Sequence, residues 1–284
     1  MNMRNSLSIS AGLLFSLLLT ACGGGGGTDK PNSTPKPSVT SISIDQLVYR
    51  KNSNLTINGK NLDLGFNISN PICLTIKELP GGTSTQRVFS CKVVNVGILP
   101  LSITAGDGSS LYLSNLTVPL AVQPQVTMGT SLGNVVIELN PAKAPVTVDN
   151  FLNYVESGFF VNKIFHRVIK DFIIQGGGLT ADMKEASNLT KIKFEGGNGL
   201  SNVRGTIAMA RLSDDLNSAT SQFFINTVDN QNLDTNFGGY AVFGKVVSGL
   251  DVVDRMQVVP VATIAGYTDS PITPIFITSA IQTK

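Results

Sequence analysis

The chain has no tryptophan, one histidine, three cysteines and only 14% charged residues. So few titratable groups point to no hydrolase constellation and no metal site, and no cofactor is expected. The net charge is +2, without the single-sign stripe that a phosphate backbone would require, so nucleic acid is not an expected partner. No Cys-x-x-Cys is present, which argues against a redox-active pair. The apolar run Ala11–Leu19 falls well short of the ~20 residues needed to span a bilayer. What is abundant is Thr, Ser, Val, Ile, Asn and 28 glycines, a composition of short strands and tight turns. A length of 284 residues leaves room for about two domains.

The first residues read as targeting. Arg4 is a positive n-region and Ala11–Leu19 an apolar h-region, the pattern of a cleaved signal over 1–21. Leu19-Thr20-Ala21-Cys22 resembles the bacterial lipobox, which implies lipidation of Cys22 and a membrane partner through that anchor. An ordinary secretory signal with a chance cysteine is the alternative. Gly23, not Asp, follows the cysteine. By the same resemblance this implies a periplasm-facing protein of the bacterial cell envelope, on the outer membrane. Residues 22–38 combine a glycine run with Pro, Ser, Thr and Lys, too polar to bury a core, and form a tether of roughly 20–25 Å.

Residues 39–122 alternate with period two at Ser41-Ile42-Ser43-Ile44 and Leu55-Thr56-Ile57. Asn58-Gly59 and Gly106-Asp107-Gly108 supply turns. This predicts a small β-sandwich, and Leu55–Leu62 resembles the start of immunoglobulin-like IPT/TIG domains. Cys73 and Cys91 flank Pro80-Gly81-Gly82. A hairpin turning there sets the cysteines opposite each other, within disulfide reach, in an oxidising compartment, so a structural bridge is expected.

Residues 123–284 read as a second domain. Gly133-Asn134 is expected as a hairpin turn after Val126-Thr127-Met128. A helix entered at Pro145 and closed at Gly158 carries Val148, Phe151, Leu152 and Val155 on one stripe. Strands are expected at 164–169, 172–175, 205–210, 222–226, 241–247 and 274–281, with a second helix at 250–256. Many strands, two helices and no βαβ alternation predict a mainly β chain that ends in a closed antiparallel barrel capped by the helices.

Four blocks carry the chemistry. They are Phe165-His166-Arg167-Val168-Ile169 with Phe172-x-x-Gln175-Gly176-Gly177; Gly205–Arg211; Ser221–Asn226; and Tyr240–Val246. In this order and spacing they resemble the cyclophilin family, most closely its bacterial periplasmic type, across 124–284. The resemblance implies an eight-stranded barrel and isomerisation of X–Pro bonds in proline-containing polypeptides by a monomer. Arg167, Phe172 and Gln175 are the implied catalytic residues. Ile173, Met209, Ala210, Arg211, Gln222, Phe224, Leu233 and Tyr240 are the implied substrate-binding residues, with Phe172, Ile173, Phe224 and Leu233 around the proline ring and Met209 in the wall. The sequence departs from the family at Asn232, where many members carry Trp or Phe. The insert Leu179–Glu195 is expected as a loop beside the groove.

Each residue has a plainer alternative. Arg167 could be a surface ion-pair partner, Phe172 and Phe224 core residues. His166 could invite general acid–base chemistry, but its neighbour Arg167 points to the other face of a strand, so a packed ring in the barrel wall is expected. Gly176–Gly178 lacks the following Lys-Ser/Thr of a phosphate loop and fits close backbone packing. A second function stays open: a lipoprotein that holds a proline-containing loop of a partner, with turnover incidental or absent.

Overall fold

The computed structural model describes residues 35–187 and 189–284. The signal segment, Cys22 and the tether as far as residue 34 lie outside the described residues. The first strands are β1 (Ser38–Ile44), β2 (Asn52–Lys60), β3 (Phe66–Ser69), β4 (Cys73–Glu78), β5 (Gln86–Val93), β6 (Gly97–Ala105) and β7 (Ser110–Val118). They form two antiparallel sheets, β1-β2-β5-β4 and β3-β6-β7. Leu55, Ile57 and Phe89 of one sheet share a core with Leu101 and Ile103 of the other, the pairing of apolar faces that period-two strands require. Cys73 and Cys91 are bridged, with their Cα atoms 5.3 Å apart. Their register is not the one expected. A bulge in β4 sets Ile76 opposite Cys91 and Cys73 opposite Val93, so the bridge runs diagonally.

The remaining elements are β8 (Gln125–Thr130), β9 (Gly133–Leu139), α1 (Pro145–Glu156), β10 (Lys163–Ile169), β11 (Ile173–Thr180), β12 (Thr206–Met209), β13 (Phe223–Asn226), β14 (Val242–Ser248), α2 (Leu250–Met256), β15 (Val261–Ile264), β16 (Tyr267–Pro271) and β17 (Ile275–Gln282). Eight of these strands close a barrel in the order β10-β11-β13-β12-β14-β9-β8-β17. Inward residues such as Val126, Ile137, Val168, Ile174 and Ile207 fill it. Phe151 and Leu152 of α1 and Val253 and Met256 of α2 join the same cluster. Pro145 occupies the first turn of α1, where a missing N–H costs nothing. The Glu195 carboxylate accepts from Val146 N (3.0 Å), Thr147 N (2.8 Å) and Thr147 Oγ1 (2.8 Å), capping that turn and pinning the end of the insert.

Two local expectations are corrected. The β8–β9 turn is Ser131-Leu132, and Gly133 already pairs with Thr130 as the first residue of β9. A two-stranded sheet, β15-β16, stands beside the barrel and was not anticipated.

The sheets and the barrel share one cluster of charge. The Asp149 carboxylate, 1% exposed, accepts from Arg50 Nε at 2.9 Å and from Lys92 Nζ at 2.8 and 2.7 Å. The same guanidinium reaches Glu156 Oε1 at 2.5 Å and Asn153 Oδ1 at 2.6 Å, both on α1. Tyr49 packs against the barrel core and against a second cluster of the sheets that holds Ile72, Cys91 and Val93.

Candidate active site

Strand register lays out a single row across the outside of the barrel. Arg167 stands opposite Gln175, Gln175 opposite Phe224, Phe224 opposite Ala208, and Ala208 opposite Val242. Opposed residues of antiparallel strands share a face. The adjoining row, Val168, Ile174, Ile225 and Ile207, belongs to the interior. The outer row therefore begins with a guanidinium and an amide and continues in buried apolar side chains.

Those apolar side chains belong to a second cluster, separate from the barrel interior. Ile173, Ala208, Phe224, Leu233 and Val242 are buried together, with Phe172, Leu200, Ala210 and Tyr240 half-buried around them. Phe224 and Tyr240 meet edge to face at 5.6 Å, a geometry that holds both rings in place. Beside it runs a groove of about 400 Å³ bordered by Gln175, Glu185, Ala210, Arg211, Leu212 and Gln222.

A buried polar network positions the pocket rings. Asn230 Nδ2 donates to the Phe172 carbonyl at 2.8 Å and to Asn226 Oδ1 at 2.9 Å, while Asn226 Nδ2 donates to Asn202 Oδ1 at 3.1 Å. Thr227 N–H donates to the same Phe172 carbonyl at 3.0 Å, and Leu233 N–H to the Asn230 carbonyl at 2.8 Å. Phe172 and Leu233 are thus fixed through backbone rather than side chain. Buried amides of this kind are costly unless each finds a partner, and here each does.

Arg167 Nη1 donates to Gln175 Oε1 at 3.4 Å, and Gln175 Nε2 donates to Gln222 Oε1 at 3.0 Å. No ion pair to Arg167 forms among the described residues, so the surface ion-pair alternative has no partner in this fold. Arg211 spends its guanidinium on the loop before β14, donating to the Gly239 carbonyl at 2.6 Å and to the Phe237 carbonyl at 2.6 Å. It lies 4.7 Å over the Tyr240 ring. Among the described residues the backbone N–H and C=O of Arg211 make no intramolecular hydrogen bond, which leaves both groups unpaired.

One expected site residue is elsewhere. Met209 is 2% exposed and packs in the barrel interior, because β12 alternates and its neighbour Ala208 takes the outward position. Ala208, Val242 and Leu200 are pocket residues that the sequence did not single out. Alternation of Ile207 and Met209 as the large apolar residues of β12 was the available signal for Ala208. The other expected residues, Phe172, Ile173, Gln175, Ala210, Arg211, Gln222, Phe224, Leu233 and Tyr240, lie in or beside the pocket and groove with Arg167.

His166 is buried, but not through simple alternation. A bulge sets Phe165 opposite Gly176 and Arg167 opposite Gln175, leaving His166 as the extra residue. Its ring packs edge-on against Tyr267 of β16 at 5.9 Å. Burial, with a smaller contribution from the Arg167 charge, lowers its pKa to about 4, so the ring is neutral at neutral pH. The glycines serve packing. A methyl group on Gly176 would meet the Ile164 carbonyl at 2.8 Å, and one on Gly178 would meet Gln222 Cγ at 2.4 Å.

A buried apolar cluster, with a guanidinium at its edge and unpaired backbone groups alongside, forms the candidate site on the outside of a closed β-barrel. The family model for cyclophilin type peptidyl-prolyl cis-trans isomerases matches residues 125–282. Cyp18, a peptidyl-prolyl cis-trans isomerase of Streptomyces antibioticus, is 51% identical over 160 residues, 55% of this chain and 96% of that protein. Peptidyl-prolyl cis-trans isomerase B of Escherichia coli K12 is 47% identical over 161 residues, covering 54% and 96%. A solved cyclophilin type isomerase from Cryptosporidium parvum, crystallised in the presence of the dipeptide Ala-Pro, aligns over 56% of this chain and 99% of its own at 28% identity, with a TM-score of 0.47. The chain belongs to the cyclophilin-type peptidyl-prolyl cis-trans isomerases.

Proposed function

We propose that this isomerase turns over X–Pro bonds of unfolded or partly folded polypeptides in the bacterial envelope, and that Arg167 carries the catalytic step. Amide resonance opposes rotation about the X–Pro bond with a barrier of ~18–20 kcal/mol. At the twisted geometry the resonance is lost and the prolyl nitrogen becomes a basic, pyramidal acceptor. A guanidinium aimed at that nitrogen binds the transition state better than either planar ground state. Phe172, Ile173, Phe224 and Leu233 hold the ring, Gln175 orients Arg167, and the Arg211 backbone pairs with the peptide. No proton is transferred and no nucleophile takes part, which is consistent with the scarcity of titratable groups around the pocket. The observation that carries this reading is the cross-strand pair of Arg167 and Gln175 at the mouth of the apolar cluster.

The biological setting is part of the same proposal. Uncatalysed isomerisation takes tens to hundreds of seconds, long enough to limit folding. Lipidation at Cys22 anchors the chain on the periplasmic side of the outer membrane, and the two-sheet unit before the barrel is an immunoglobulin-like domain that contacts clients or spaces the barrel from the lipid. A Cys22→Ser chain should move to the soluble envelope fraction; retention in the membrane fraction would contradict the anchor. For the activity, isomerisation of a short Ala-Pro peptide should accelerate in proportion to added protein. Binding of that peptide without acceleration would instead support a proline-loop scaffold.

A further inference from the structure

The insert after β11 carries one residue into the site. Thr180 N–H donates to the Lys184 carbonyl at 3.1 Å and Met183 N–H to the Thr180 carbonyl at 2.9 Å. A single antiparallel bridge pairs Leu179 with Glu185. These contacts hold Glu185 over β11, where its Oε1 accepts from Gln222 Nε2 at 2.6 Å. Gln222 Oε1 accepts from Gln175 Nε2 at 3.0 Å, and Gln175 Oε1 accepts from Arg167 Nη1 at 3.4 Å. Four side chains from three separate stretches of sequence thus form one continuous relay.

The relay has a direction. A side-chain amide has one donating and one accepting end, a guanidinium only donates and a carboxylate only accepts. With Arg167 at one end and Glu185 at the other, a single arrangement of the two amides makes all three bonds. Reversing either amide sets two donors or two acceptors against each other. Gly178 makes room for the relay, since any side chain there would overlap Gln222.

We propose that Glu185 is a positioning residue for the isomerase reaction: its carboxylate fixes the orientation of Gln222 and Gln175 and thereby aims Arg167. This rests on the reading of Arg167 as the catalytic donor. It assigns the insert a role in turnover, transmitted over two amides, from a residue that need not touch the proline.

The test compares the full chain with Glu185→Gln, Glu185→Ala and Glu185→Lys variants in one proline-peptide assay that separates kcat from KM, with Arg167→Ala beside them. Glu185→Gln keeps an acceptor and should stay within about twofold of the unaltered chain, and Glu185→Ala should lose a few-fold in kcat. Glu185→Lys replaces the acceptor with a donor, turns both amides round and presents an NH₂ to Arg167. It should lose about tenfold in kcat, with KM changed much less. In a Gln222→Leu background the relay is cut, and the Ala and Lys variants should no longer differ from each other. Equal activity of all three Glu185 variants, with Arg167→Ala inactive, would overturn the relay and leave the isomerase standing. Equal losses for Ala, Gln and Lys that persist without Gln222 would mark a structural role and overturn it too. No turnover by the unaltered chain would remove the underlying reading and the proposal with it.

Discussion

Replacing Gly178 with alanine isolates the amide row from the rest of the fold. Gly178 lies in β11 and its backbone is not in the left-handed region, so alanine is compatible with the strand. The added methyl would sit 2.4 Å from Gln222 Cγ, 2.7 Å from Cδ and 2.8 Å from Nε2, so the whole outer half of that side chain must move. Moving it breaks the bonds to Gln175 at 3.0 Å and to Glu185 at 2.6 Å. Each solvent-accessible bond of this kind contributes about 0.5–1.5 kcal/mol. Against that, alanine restricts the unfolded chain and returns roughly 0.4–1 kcal/mol. The net change in stability should therefore lie between about zero and a loss of ~2.5 kcal/mol. Activity responds differently, because Gln175 loses the partner that orients it toward Arg167. A loss of about 1 kcal/mol of transition-state binding is roughly a fivefold fall in kcat/KM. The assay is peptide isomerisation beside urea unfolding of the same preparations. A variant with undiminished kcat/KM would refute the reasoning, and so would one that loses activity only in proportion to unfolded protein.

Other expectations concern stability and ligand choice. Asp149→Ala leaves Arg50 and Lys92 without their shared buried carboxylate. Loss of one partner of a buried pair costs about 3–5 kcal/mol; because Arg50 keeps Glu156 and Asn153, a loss of about 2–3 kcal/mol in urea unfolding is expected, and a change below about 0.5 kcal/mol would contradict the linkage of sheets and barrel. His166 has a folded pKa of about 4 against 6.5 unfolded, so the unfolded chain binds more protons between these values. Stability is full above pH 6.5, falls as pH drops through that window and levels off below about 4. Between pH 7 and 5 the histidine should account for about 2 kcal/mol, measured as the difference from a His166→Gln chain, and parallel pH profiles for the two would contradict it. Asn232 is exposed; the family resemblance implies Trp or Phe there in many members, as a contact for the cyclic peptide cyclosporin, so cyclosporin should inhibit this chain weakly and Asn232→Trp should tighten it, and sub-micromolar inhibition of the unaltered chain would refute this.

The barrel and most of the pocket were legible because their signals are local. The stripe of α1 and the residues 250–256 of α2 follow from spacing alone, and the Arg167–Gln175 pair follows from a motif whose strands are joined by a short turn. What failed depended on register or packing. Met209 was placed in the pocket wall because a motif does not say which residue of a strand faces out; the alternation of β12 does. Gly133 looked like a turn residue, yet its φ of 132° belongs to the first residue of β9, where a methyl would meet Val252 at 2.9 Å. The β15–β16 hairpin turns at Ala265-Gly266, both with positive φ, and alanine carries no turn signal. Asn226 reads only as the end of a strand, and nothing in the sequence marks Asn202 or Asn230; tertiary burial alone brings the three together beneath Phe172.

The central claim is that Arg167 recognises the twisted bond more strongly than the planar one. Exchange between cis and trans forms of a bound Ala-Pro peptide, followed by NMR for the unaltered chain and for Arg167→Ala, separates the two states. Peptide affinity should change by no more than about twofold, while the exchange rate on the protein falls at least tenfold, over ~1.4 kcal/mol of transition-state stabilisation. Affinity falling in step with the exchange rate would contradict the claim and make Arg167 a ground-state binding residue.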